Sequence, residues 1–220
     1  MSRAIPLVDL LKLKEGSEAE KKAFVSELGH AFQEFGFVGV INHGIPKELV
    51  SRYYAEAKAF FSLPTDIKSK YEVKGLAGQR GYTSFGKEHA KQSNVGDLKE
   101  FFQLGQIVPE GHPLKAEYPD NVHVAEVPAF TKTGIELYKS FEISGAWLLH
   151  AIALYLNIDP GYFDEKIREG NSILRAIHYP PITSEPKTAI RAEQHEDINL
   201  ITLLVGASAG GLQILDLKNQ

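Results

Sequence analysis

His195-Glu196-Asp197-Ile198-Asn199-Leu200-Ile201-Thr202-Leu203-Leu204-Val205 joins an ionisable triplet to an apolar run. The run reads as a buried strand with His195 at its head. Side chains alternate across a strand, so residues two apart project from one face. That sets the His195 imidazole beside the Asp197 carboxylate and turns Glu196 away. One imidazole and one carboxylate on a rigid element supply two ligands of the 2-His-1-carboxylate facial triad, which holds non-haem Fe(II) and leaves positions open. The third ligand has to be another histidine, and none follows residue 195. Taken alone, a His-x-Asp triplet is common, and a structural histidine or a strand-edge carboxylate explains it better than a metal does. Within this chain it stands out. None of His30, His43, His89, His112, His123, His150 and His178 has an acid two positions on. An ionisable pair at the mouth of a buried strand is also costly unless it is paired or metal-bound.

Composition bounds the rest. A length of 220 residues suits one domain or one and a half. A net charge of -4 argues against nucleic acid as the main partner, because phosphate binding needs a basic surface. The chain has no cysteine, which excludes disulfides, thiolate nucleophiles, Fe–S clusters and cysteine-based zinc sites. The first residues, Met1-Ser2-Arg3-Ala4-Ile5-Pro6, lack the apolar core of a secretory signal. The longest apolar run, Leu148 to Leu156, is too short to span a bilayer and is interrupted by His150. These features predict a cytoplasmic protein with no membrane partner.

The order of elements gives the fold class. Ile5 to Leu10 reads as a first strand. Ser17 and Glu20 form a capping box that starts a helix, with Phe24, Leu28, Ala31 and Phe35 on one side and Gly36 as its stop. Phe37 to Ile41 is a strand closed by the turn Asn42-His43-Gly44. Pro46 suits the first position of a second helix that carries Leu49, Val50, Tyr53, Ala57 and Phe60 to one side. Strands are predicted around Tyr82–Phe85 and over Lys99–Ile107, and the longest helix over Pro128–Leu156. Ser172–Tyr179, the run after His195, and Leu212–Leu215 are the remaining strands, with a polar loop at Thr183–Thr188. Helices thus dominate the first two-thirds and strands gather near the C-terminus. This layout is α+β, or a barrel or sandwich behind a helical layer.

Several segments together resemble the isopenicillin N synthase-like family of Fe(II)- and 2-oxoglutarate-dependent oxygenases. They are Ile5 to Leu10, Phe35-Gly36-Phe37-Val38-Gly39-Val40-Ile41-Asn42-His43-Gly44-Ile45-Pro46, Phe60 to Pro64, Lys68-Ser69-Lys70-Tyr71, Gly81-Tyr82, and Asp97-Leu98-Lys99-Glu100. Leu174-Arg175-Ala176-Ile177-His178-Tyr179-Pro180-Pro181, the His195 segment and Gly210-Gly211-Leu212-Gln213-Ile214 complete the series, which covers essentially the whole chain. The resemblance implies a double-stranded β-helix (jelly-roll) core with an N-terminal helical layer, divided here as residues 1–120 and 121–220. It implies Fe(II) held by His195 and Asp197, with 2-oxoglutarate chelating the metal and its far carboxylate bound by Tyr179. It implies O2 and a small molecule as the other reactants, with CO2 lost from 2-oxoglutarate.

The chain also departs from the pattern. Ile177 and His178 stand where many relatives carry Asn and Tyr. His178 reads better as a sheet-edge imidazole than as a ligand, and His43 better as part of a strand-ending turn. In the family the distal His and an Arg-x-Ser pair lie beyond the His-x-Asp motif, and the sequence ends at Gln220 before reaching them. The jelly roll is therefore expected to be incomplete at the C-terminus, most simply because the chain is a fragment of a longer protein. By itself it is expected to be inactive and to expose apolar sheet. The alternatives are a truncated, non-catalytic jelly-roll binding protein, ligands supplied by a second chain, and an oxidase of the isopenicillin N synthase type that uses no 2-oxoglutarate.

Overall fold

The structure is a computed structural model that describes residues 4–76, 78–88, 96–182, 191–192, 194–197, 199–206 and 209–214. Its described residues fall into two compact units. One comprises residues 1–45, 140–168 and 201–220, and the other residues 46–139 and 169–200. The class is mixed α+β, as expected.

The first unit begins with strand β1 (Leu7–Asp9) and helix α1 (Leu10–Glu15). The Asp9 side chain caps α1 by accepting from the Leu11 amide at 3.0 Å. Helix α2 (Glu18–Phe35) starts at the expected capping box: Ser17 accepts from the Glu20 amide, and the Glu20 carboxylate accepts from the Ser17 amide at 2.8 Å. Two of the donors orphaned at a helix start are thereby satisfied. Gly36 ends α2 with φ +68°, a left-handed conformation that a Cβ disfavours. The chain returns as strand β2 (Gly39–Ile41), which pairs in parallel with β1 in the register Val8↔Val40. Asn42 follows at φ +52°, consistent with the turn read there.

Val8, Leu10, Leu13, Phe24 and Leu28 form one core with Leu148 and Ala151 of helix α5 (Ala129–Tyr155). Gly29 is the close-approach point. A Cβ built on it would lie 2.2 Å from the Tyr155 ring, whose hydroxyl donates to Gln33 at 2.7 Å. Gly29→Ala is expected to cost about 1–3 kcal/mol through overpacking, despite alanine's better helix propensity, and urea unfolding measures it.

The second unit opens with helix α3 (Lys47–Phe61), for which Pro46 is the cap rather than the first helical residue, and helix α4 (Thr65–Lys68). Three strands, β3 (Gly81–Thr83), β4 (Glu100–Gly105) and β5 (Ile173–His178), form an antiparallel sheet in that order. Tyr82, Phe102 and Ala176 share one face with Glu100 and His178, whereas Thr83, Phe101, Gln103, Arg175 and Ile177 share the other. The first face is buried. Phe60 sits at its centre and meets Phe61, Tyr71, Tyr82, Phe102 and Phe130 with ring centroids 5.0–6.1 Å apart across the cluster. Such aromatic pairs add to the burial that holds helix and sheet together.

Several expectations are corrected. Among the described residues strands do not gather at the C-terminus: β1 and β2 lie near the start, and β3 and β4 in the middle. The run after His195 forms no ladder among the described residues, and neither does Leu212–Ile214; Leu215 lies outside them. Ile201, Leu203 and Val205 are nevertheless half-buried while Thr202 and Leu204 are exposed. Ile201 and Leu203 pack on the Leu148 core. The two-residue period was therefore read correctly, but a strand also needs backbone partners. The polar loop at 183–188 lies outside the described residues. Helix α6 (Asp164–Ile167), α1 and α4 were not anticipated, being too short for a periodic signal.

Candidate functional site

The His195 Nε2 and Asp197 Oδ1 atoms lie 3.6 Å apart. The two atoms are close enough to share one ion. A neutral imidazole and a carboxylate are a donor set that suits Fe(II), so the residues present fit that metal as two of its ligands. Residues 194–197 are irregular, and the two side chains are 59% and 49% exposed. The pair is thus not at the mouth of a buried strand, as expected, but on an exposed segment. Among the described residues no group of three or more His, Cys, Asp or Glu side chains could hold a metal ion. Tyr179 follows β5 directly and is half-buried. His43 sits in the turn, where its Nδ1 accepts from the Ile45 amide at 3.1 Å.

A second constellation lies on the buried face of the β3-β4-β5 sheet. Glu100, with its side chain only 4% exposed, is the centre. Lys68 Nζ donates to both its oxygens, at 2.9 and 2.7 Å, and also to the Phe61 carbonyl at 3.1 Å. The Tyr82 hydroxyl donates to Glu100 Oε2, and His178 Nδ1 lies 2.8 Å from Oε1. The His178 ring stacks on Phe61 with centroids 5.1 Å apart. These residues line a cleft of about 360 Å³ together with Thr65, Ser84, Phe85 and Pro180. Burial pushes the Glu100 carboxyl up, but the hydrogen bonds from Lys68, Tyr82 and His178 outweigh it and hold the group below the usual carboxylate range. Burial and the bond to Glu100 both push the Tyr82 phenol up, so it stays a donor.

On the sheet's other face, Arg175 donates to Gln103 at 2.7 Å and pairs with Glu88 at 3.2 Å, its guanidinium 4.3 Å above the Phe101 ring. Glu88 in turn pairs with Lys99 at 2.8 Å, and Lys99 with Asp97 at 2.8 Å. Lys68, Tyr82, Glu100 and His178 stand in separate sequence motifs, and their convergence is not legible there because the partners are far apart in the chain.

Comparison with known proteins identifies the class. Residues 5–126 match the family model described as the N-terminal region of the non-haem dioxygenase in morphine synthesis. The 2-oxoglutarate-dependent dioxygenase htyE of Aspergillus rugulosus is 30% identical over 224 residues, a match covering 98% of this chain and 68% of the relative. A 2OG-Fe(II) oxygenase family protein from Caulobacter crescentus superposes with a TM-score of 0.85 at 40% identity, covering 100% of this chain and 69% of that one. A full-length protein from Neurospora crassa, solved in complex with alpha-KG and thymine, superposes with a TM-score of 0.66 at 28% identity, over 80% of this chain and 55% of that one. The chain belongs to the isopenicillin N synthase-like family of 2-oxoglutarate- and Fe(II)-dependent dioxygenases. Its fold is the double-stranded β-helix fold of these oxygenases. The family implies O2 and a small molecule as reactants. The chain spans about two-thirds of its relatives' length, 63% in the case of the oxidoreductase ppzD of Metarhizium rileyi. Among the described residues, no helix is long and apolar enough to cross a membrane.

Proposed function

We propose that the protein is an Fe(II)- and 2-oxoglutarate-dependent oxygenase that oxidises a small molecule by hydroxylation, desaturation or ring closure, with release of succinate and CO2. The observation that carries the reading is the 3.6 Å approach of an imidazole nitrogen and a carboxylate oxygen at the family's His-x-Asp position. His195 and Asp197 would hold the iron, and Tyr179 would donate its hydroxyl to the far carboxylate of 2-oxoglutarate. Bound iron supplies the activation of O2. The Asp197 charge offsets part of the metal's, and Glu196 takes no part.

The comparisons support a small-molecule substrate: the Neurospora crassa protein is solved with thymine, and a 31% identical relative from Petromyces alliaceus is named proline hydroxylase buaE. The family match over residues 5–126 supports a division of the chain near residue 120. The proposed location is the cytoplasm, which fractionation of the producing cells would test.

The experiment is co-substrate consumption by the full-length protein. With Fe(II), O2 and 2-oxoglutarate it should release CO2 slowly even without a prime substrate. Substrate turnover at full rate without 2-oxoglutarate would overturn the reading. Tyr179→Phe should raise the KM for 2-oxoglutarate, because losing one hydrogen bond to a charged group costs about 1.5–3 kcal/mol. An unchanged KM would remove Tyr179 from the co-substrate site.

A further inference from the structure

We infer that His178 is a positioning residue for 2-oxoglutarate: clamped between Glu100 and Phe61, it fixes the direction in which the next residue, Tyr179, presents its hydroxyl. This rests on the proposed role of Tyr179. The clamp has two arms. His178 is the cross-strand partner of Glu100 in the β4–β5 register, and their side chains meet at 2.8 Å. The imidazole also stacks on Phe61 with an interplanar angle of 25°. Glu100 is itself immobilised by Lys68 and Tyr82. The imidazole is thereby tied to α3, α4, β3 and β4 through one carboxylate and one ring.

The consequence for Tyr179 follows from backbone geometry. Tyr179 precedes Pro180, and a residue before proline is confined to extended conformations. Strand alternation then carries past His178, the last residue of β5. With His178 held on the buried face, the Tyr179 ring is directed to the opposite one, that of Arg175 and Ile177. On that face Ile177 of β5 is 43% exposed, whereas Phe101 and Gln103 of β4 are buried. A rotation of β5 that moved Tyr179 would have to break the Glu100 contact and the Phe61 stack together. For metal ligands, the partners that orient a side chain commonly matter nearly as much as the ligand itself, and the same reasoning applies to the side chain of Tyr179.

The test uses the full-length protein, with Fe(II) loaded anaerobically and 2-oxoglutarate binding measured by calorimetry beside steady-state KM and kcat. His178→Phe keeps the stack and removes the hydrogen bond. It should weaken 2-oxoglutarate binding roughly tenfold, raise KM by a similar factor, and leave iron stoichiometry and kcat at saturating co-substrate close to wild type. His178→Asn places an amide nitrogen near the Nδ1 position and should restore much of the affinity. Equal losses in iron content, kcat and affinity would mark a merely structural role and overturn the inference, as would unchanged affinity in His178→Phe. Tyr179→Phe is the control. If it weakens binding and His178→Phe does not, the positioning idea fails alone; if it has no effect, the role of Tyr179 fails first.

Discussion

His195→Ala is expected to abolish tight Fe(II) binding, and turnover with it. The variant removes one of the two donors that lie 3.6 Å apart and leaves Asp197 as a single, half-exposed carboxylate. One carboxylate without the imidazole does not select a transition metal or fix its open positions. Changes to groups that merely support a ligand cost about 10–100-fold in metal affinity or activity, and the loss of a ligand itself should exceed that. Glu196→Ala makes the matched control. It deletes an equally exposed acid one residue away and should bind iron nearly as the wild type does. Iron stoichiometry after anaerobic loading and desalting separates the two variants. A His195→Ala protein that keeps stoichiometric iron and consumes 2-oxoglutarate would put the metal elsewhere, with His43 and His178 the next residues to change.

What the sequence made legible depended on how local the signal was. The α2 boundaries were readable because Ser17, Glu20 and Gly36 act within one turn of the backbone they cap. The length of α5 was readable because its apolar period repeats many times before Asp159-Pro160. The run from Ile198 kept its two-residue burial period yet makes no ladder among the described residues, since pairing depends on a second strand that periodicity does not encode. Strands β1 and β2 are both legible, within Ile5–Leu10 and Phe37–Ile41, but their parallel pairing is not, since register depends on the partner and on the Val8 core.

The two constellations differ in the same way. His195 and Asp197 are legible as a pair because they stand two residues apart, and their side chains lie 3.6 Å from each other. Lys68, Tyr82, Glu100 and His178 were each quoted within separate motifs, but their meeting spans up to 110 residues and needs α4 and three strands to be in place. Nothing in Asp97-Leu98-Lys99-Glu100 shows that Lys99 turns to Glu88 while Glu100 turns inward to Lys68. Strand alternation separates them, and both are buried, so only the partners waiting on each face decide where each charge turns.

Glu100→Gln is expected to destabilise the protein by about 3–5 kcal/mol, the cost of leaving one member of a buried ion pair without its partner. The stranded group is Lys68, whose side chain is 8% exposed and whose remaining acceptor among the described contacts is the Phe61 carbonyl. A glutamine can still accept from Tyr82 and fill the space, so the deficit is one of charge rather than of volume. Lys68→Met should cost a similar amount by stranding Glu100. The double variant should cost less than the sum of the two, because each single change already breaks the same contact. The pH dependence identifies the carboxylate. Lys68, Tyr82 and His178 hold the folded-state pKa of Glu100 below its ordinary value, so the unfolded chain binds the proton more readily. Its contribution is complete above the unfolded value of roughly 4.3 and is lost as pH falls through the lower folded one. Wild type should therefore lose stability more steeply than Glu100→Gln below about pH 4, and the two urea-unfolding curves should converge in acid. Parallel pH profiles, or a Glu100→Gln cost under about 1 kcal/mol, would show that the buried pair adds no more than a surface one, and that the aromatic packing around Phe60 holds the sheet to α3 without it.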